Sequence, residues 1–254
     1  LFRSPYQVFS SSAGNPYFID LSALVENSYL EHEDVVTLRS LSGERIDYGE
    51  LYQLFFTPLR KAFDAFKKNP SNLEDSYGKF SDFKKRHAHW LEGFAVFQTL
   101  KRRNQSKPWW EWPAEDQDPL KYRSLDSDEM HELDFQSFLQ YLFYSQWRDL
   151  RIYASQKEIS LIGDLPIYVA PDSADVWTNR DLFQIEANGT FEAVAGVPPD
   201  YFNEMGQLWG NPLYDWQRHK ETDYQWWIQR ACDQLELFDI IRIDHFREIG
   251  RAHV

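Results

Sequence analysis

The sequence has a single cysteine, Cys232, so no internal disulfide can form. Its place in a predicted helix suits a reducing compartment, and a cytoplasmic location is expected, or a plastid if the source is a plant. Positive charge is also scarce: 27 Lys and Arg against 40 Asp and Glu leave a net charge of −13. Contacts to a phosphate backbone are made mainly by Lys and Arg, so this balance argues against a nucleic-acid partner and favours a neutral or cationic small substrate. No apolar run approaches the ~18 residues of a membrane span, so no membrane partner is expected. The chain opens on Leu1, without an initiator Met or the charged and apolar regions of a signal peptide, and its true start is expected to be missing. Gly-x-Gly-x-x-Gly and P-loop spacings, His-Glu-x-x-His and Gly-x-Ser-x-Gly are all absent. His87 and His89, two apart on a predicted helix, do not share a face, which disfavours a metal pair. No cofactor and no metal are therefore expected.

Aromatic residues are abundant: 17 % of the chain, ten of them Trp, at a mean hydropathy of −0.61. Flat rings among polar residues suit stacking on sugars, but they also fill ordinary cores. With 254 residues the chain can bury a large core, as one domain or as part of a larger one.

Residues 1–46 begin with a Ser, Gly, Asn and Pro-rich loop that leads into a short helix. Asp47 and Glu50 have the spacing of an N-cap and its reciprocal partner, and Leu51, Leu54, Phe55, Leu59, Phe63 and Phe66 recur at helical spacing. Further amphipathic stretches over roughly 77–103 and 132–157 make 47–157 read as a mainly helical insertion subdomain. From 158 to 247 the pattern changes to short apolar runs. Ile159 to Val169 contains a buried strand, Asn188-Gly189 signals a two-residue hairpin, and 195–216 is too rich in turn formers for regular structure. A helix over roughly 223–236, with Trp227, Cys232 and Leu235 among its apolar positions, feeds the strand ending Ile240-Ile241-Arg242-Ile243. Helix followed by short β-branched strand is the α/β repeat of a parallel sheet.

Arg242 and Asp244 are two apart in that strand, so they share a face. In a parallel α/β barrel, polar residues at the carboxyl end of a strand line the active-site mouth. A guanidinium beside Asp244 favours the ionised carboxylate that a nucleophile needs; a structural ion pair closing the strand explains the same residues. Arg45-Ile46-Asp47 repeats the tripeptide at a helix start, where Asp47 is a cap, so three letters specify nothing. Asp164 is a second strand carboxylate, beside Gly163, which allows close approach of backbone or ligand; the alternative is an Asp bonded to a neighbouring loop. The loop 195–216 interleaves aromatics with Asp, Asn and Gln, the mixture a sugar site needs, although a tightly packed Ω-type loop has the same composition.

Taken jointly, SPYQVFSSSAGNPYFIDL, RIDYGELY, IGDLPIYVAPDSADVW, VAGVPPDYFNEMGQLWGNPLYDW and FDIIRIDHFR resemble the amylomaltases, the 4-α-glucanotransferase (disproportionating enzyme) family, from about Ser4 to Arg247. The resemblance implies an α/β fold, a partial (β/α)8 TIM barrel with helical insertions, and a retaining transfer of α-1,4-glucan segments between maltooligosaccharides. It implies Asp244 as nucleophile with Arg242 beside it, and Tyr6 and Asp164 around the sugar that becomes covalently attached. Asp200, Tyr201, Phe202, Gln207 and Trp209 fall in the family's mobile acceptor-side loop, and His245 matches a sugar hydrogen-bond donor. The pattern breaks after Arg247, where 248–254 reads like a translated sequencing adapter and a non-native tail. The family's acid/base Glu and third carboxylate find no match, so the chain reads as an internal, inactive fragment. Two other readings stay open: a non-catalytic glucan-binding remnant and an amylase-like hydrolase.

Overall fold

The computed structural model describes residues 7–41, 43, 45–119, 125–186, 189–191, 193–197, 199, 201, 204–246 and 252–253. Two short helices, α1 (Leu21–Glu26) and α2 (Glu33–Arg39), precede a helical series. That series is α3 (Tyr48–Lys68), α4 (Ser71–Tyr77), α5 (Phe80–Arg86), α6 (Ala88–Arg103), α7 (Ala114–Gln117) and α8 (Ser127–Gln156). Strand β1 (Ile162–Leu165) and α9 (Ala174–Thr178) lead into the hairpin of β2 (Val194–Val197) and β3 (Gln207–Pro212). Helices α10 (Trp216–Glu221) and α11 (Gln225–Leu237), then β4 (Ile240–Ile243) and β5 (Ala252–His253), complete the order.

The helix starts follow side-chain chemistry. The Asp47 carboxylate accepts the N–H groups of Gly49 and Glu50 at 2.9 and 3.1 Å, capping α3. At α8 a full capping box forms between Asp126 and Glu129. The helix expected over 77–103 is two, α5 and α6, joined at His87. There the His87 ring turns inward against Phe83 and Tyr144, with centroids at 4.5 and 4.9 Å. The paired histidines therefore differ in setting: His87 is buried, while His89 meets the Asp233 carboxylate at 2.8 Å.

Two apolar clusters form the interior. In the first, Phe63 and Phe66 of α3 pack on Phe138 of α8, with centroids at 5.2 and 4.9 Å. The second joins α6, α9 and the β2–β3 hairpin around Phe97, Trp109, Trp112, Trp177 and Tyr214. Trp109 and Trp177 are completely buried, so much of the aromatic excess fills core.

Part of 195–216 is regular, contrary to the composition-based expectation: β2 and β3 pair antiparallel, with an irregularity between Val194 and Gly196, while the described residues between them form neither strand nor helix. Gly210 absorbs local curvature at φ +77°, and Pro212, which cannot donate, falls at the strand end. The backbone of Ala252 and His253, in the segment read as a non-native tail, pairs with Ala195 and Val194 as a third strand. Upstream, the Glu186 N–H donates to the Thr190 carbonyl at 2.9 Å and Gly189 sits at φ +83°. Gly189 of the expected Asn188-Gly189 turn thus has the left-handed backbone that such a turn uses. Asn188 lies outside the described residues.

β1 and β4 pair parallel, with Asp164 opposite Arg242, and α11 packs against both. β4 is not the buried strand its composition suggests. Ile240 and Ile243 are 50 % and 46 % exposed, and Ile162 of β1 is 66 % exposed. Among the described residues this sheet has two strands, too narrow to cover its own apolar side chains. Gly163 does permit a close approach, but by a side chain: a Cβ there would lie 2.2 Å from the Phe238 ring. No helix among the described residues is long and apolar enough to cross a membrane.

Candidate functional site

The parallel register of β1 and β4 places Asp164 and Arg242 side by side at the carboxyl ends of both strands. Arg242 grips Asp164 with two bonds, Nε to Oδ1 at 3.1 Å and Nη2 to Oδ2 at 2.6 Å. The same Nη2 donates to Asp244 Oδ2 at 3.0 Å. One guanidinium thus stands between two carboxylates, and its planar fork is suited to hold both. The other Asp244 oxygen accepts the backbone N–H of His245 at 2.9 Å. His245 lies in the left-handed region at φ +53°, a conformation that strains a non-glycine residue and turns the chain sharply off the strand.

A cleft of about 360 Å³ opens beside this cluster, lined by Asp164 and Asp244 together with Gln207 and Trp209 of β3. The Trp209 indole meets the His245 ring edge-on at 4.9 Å and Tyr168 at 6.1 Å. Its Nε1 donates to Gln207 Oε1 at 3.1 Å. The cleft therefore combines carboxyl oxygens, an imidazole and an amide with broad ring faces, the mixture that recognises a polyhydroxylated ring. Among the described residues no group of three or more His, Cys, Asp or Glu is placed to hold a metal ion.

Six of the residues singled out from sequence meet here: Asp164, Arg242, Asp244, His245, Gln207 and Trp209. Tyr201 lies apart from the cleft lining and is 97 % exposed. Tyr6, Asp200 and Phe202 lie outside the described residues. Sequence reasoning passed over Gln7, Tyr168 and Asn211, which also line the cleft. Asn211 is buried, and its amide donates to the Val169 carbonyl at 2.8 Å, tying β3 to the segment after β1. An Asn in a turn-rich sequence reads as a turn former, so nothing local signalled that anchor.

The model of the family described as 4-alpha-glucanotransferase matches residues 2–253. The 4-alpha-glucanotransferase of Thermus thermophilus is 43 % identical over 246 residues, covering 96 % of this chain and 48 % of that protein. That of Clostridium butyricum is 42 % identical over 253 residues, with 96 % and 50 % covered. Among solved structures, the amylomaltase from Streptococcus agalactiae in complex with acarbose superposes with a TM-score of 0.84 at 35 % identity, over 96 % of this chain and 49 % of that one. The chain spans about half the length of the relatives it matches.

Proposed function

The chain belongs to the 4-alpha-glucanotransferase family, and from that premise we propose that the full-length protein carrying it transfers α-1,4-glucan segments between maltooligosaccharides. The observation that carries the proposal is the arrangement of Asp164, Arg242 and Asp244 under Trp209 and His245. The side chains of Arg242 and Asp244 are 57 % and 52 % exposed, and a pair that open to solvent contributes about 0–1 kcal/mol to stability. Structural support is thus a weak reason for placing three charges together, and chemistry at the strand ends is a stronger one. The acarbose held by the Streptococcus agalactiae relative supports an oligosaccharide as the occupant of the cleft.

In this reading Asp244 attacks the anomeric carbon of a bound glucan, and the bond to the leaving segment breaks as a proton reaches its oxygen. The 4-hydroxyl of an acceptor glucan then displaces Asp244 and gives up its proton. Arg242 holds Asp244 oriented toward the bound sugar. Asp164 and Tyr6 position the attached sugar, and His245 donates to it. Asp200, Tyr201, Phe202, Gln207 and Trp209 hold the incoming glucan and exclude water, which favours transfer over hydrolysis. The proton-transferring carboxylic acid is assigned to the half of the relatives' length that this chain does not span, and the 254-residue chain alone is proposed to be inactive. In the same way β1 and β4 are assigned to a (β/α)8 barrel, with 47–157 as its helical insertion. Incubating the full-length protein with maltotriose should yield glucose together with longer maltooligosaccharides; hydrolysis products alone would reject transfer.

A further inference from the structure

α11 is unusual in what it buries. Its inward stripe is Arg230, Asp233, Gln234 and Leu237, spaced i, i+3, i+4 and i+7, and three of the four are polar. Arg230 is only 4 % exposed. Its guanidinium lies over the Trp226 and Trp227 rings, 4.7 Å from each centroid, with Nη1 buried and without a hydrogen-bond partner. An apolar side chain of similar volume avoids the desolvation that a buried guanidinium incurs. What the arginine adds is reach in two directions.

Its Nη2 donates to the Pro166 carbonyl at 2.8 Å, and its Nε donates to Ser11 Oγ at 3.3 Å. Pro166 lines the cleft two residues after Asp164, and Ser11 follows Gln7, on another part of the cleft lining, by four. Ser11 is itself held on every side. Its N–H and hydroxyl donate to Asp175 at 2.7 and 3.2 Å, and its carbonyl accepts from Gln234 at 2.9 Å. One residue on, Ser12 Oγ donates to Asp233 at 3.0 Å, and Asp233 also meets His89 and Gln229. The Ala174 N–H donates to the Phe9 carbonyl at 2.7 Å, fixing α9 to the same loop. Burial raises the Asp175 carboxyl above its usual range, and the Arg230 charge offsets part of that rise.

We infer that Arg230 is a positioning residue: from α11 it locks the 7–12 loop to the segment after β1, and so fixes the spacing between the parts of the cleft that carry Gln7 and Asp164. Arg230 is not among the residues that line the cleft. Its effect on turnover rests on the glucan-transfer reading, while its effect on the loop does not.

Arg230→Lys keeps the charge near Asp175 but has no fork to span both loops. In the full-length protein its KM for maltotriose should rise about tenfold or more, with kcat within about twofold of wild type, because a displaced wall weakens binding. In the same full-length protein, the Ser11 amide should exchange its hydrogen about tenfold faster while amides of α3 keep their rates. Arg230→Gln, which leaves Asp175 and its bonds to Ser11 in place but cannot span both loops, should give the same two changes, which keeps the test readable if the lysine variant folds poorly. An unchanged KM or an unchanged Ser11 exchange overturns the inference, and so does faster exchange spread equally through α3, the mark of a general stabiliser. A wild-type protein that does not lengthen maltotriose overturns the transfer reading instead, and the exchange comparison still decides the role of Arg230.

Discussion

At the scale of single residues, Asp244 and His87 show how environment gives an ordinary side chain its role. Asp244 is held by Arg242 Nη2 on one oxygen and by the His245 N–H on the other, so its orientation is fixed before any ligand arrives. Asp244→Asn in the full-length protein should preserve the fold and lower maltotriose disproportionation by about four orders of magnitude or more. Near-normal turnover would mean that the strand-end pair is structural. The His87 ring is lowered to about 4, chiefly by burial and then by the Arg86 and His89 charges. An unfolded His takes up a proton near 6.5, so between pH 6.5 and 4 the unfolded state binds more protons than the folded one. Stability from the neutral ring is thus fully present above pH 6.5 and is lost on acidification, by roughly 3 kcal/mol over that window at about 1.4 kcal/mol per unit. Urea unfolding of wild type and His87→Asn at pH 7 and pH 5 tests this: the variant should show the shallower dependence. The Glu236 carboxyl is raised, chiefly by partial desolvation, and works in the opposite direction, and it remains in both proteins.

At the scale of elements, α11 illustrates where hydrophobic pattern misleads. Ile228 and Leu235, apolar positions of the helix, are 58 % and 52 % exposed, and Cys232 is exposed between them. The buried stripe is polar because it faces the hydrogen-bonding loop around Ser11. Leu235→Lys should therefore shift unfolding free energy by less than about 0.5 kcal/mol, as surface changes do. Gln234→Leu, of similar volume, strands the Ser11 carbonyl and should destabilise by about 1–3 kcal/mol. Equal effects in chemical denaturation would contradict this assignment of faces. α3 is the opposite case, since its cap Asp47 and its stripe of Phe55, Leu59, Phe63 and Phe66 agree with one another and with the structure. The β2–β3 hairpin hid from composition because its Gly and Pro occupy a bend and a strand end that still permit pairing.

At the scale of the whole molecule, the β1–β4 sheet leaves Ile162, Ile240 and Ile243 substantially exposed. Paired strands with uncovered apolar side chains invite association. The isolated 254-residue chain should sediment as concentration-dependent oligomers despite its net charge of −13, and Ile162→Lys with Ile240→Lys should shift it toward monomer. A wild-type chain that stays monomeric at high concentration would argue that these faces are harmless.

The sequence by itself determined the helices with clean caps and stripes, the Asp47 decoy, and the Arg242 and Asp244 pair on one strand face, because each depends on neighbours within a few residues. It also carried the family resemblance, through motifs spread along the chain. Only the tertiary structure decided that Asp164 is a partner of Arg242, that Gly163 makes room for Phe238, and that Arg230 reaches two loops far from it in sequence. Those contacts close over separations of 64 to 219 residues, where no spacing rule operates and only packing in three dimensions selects the partner.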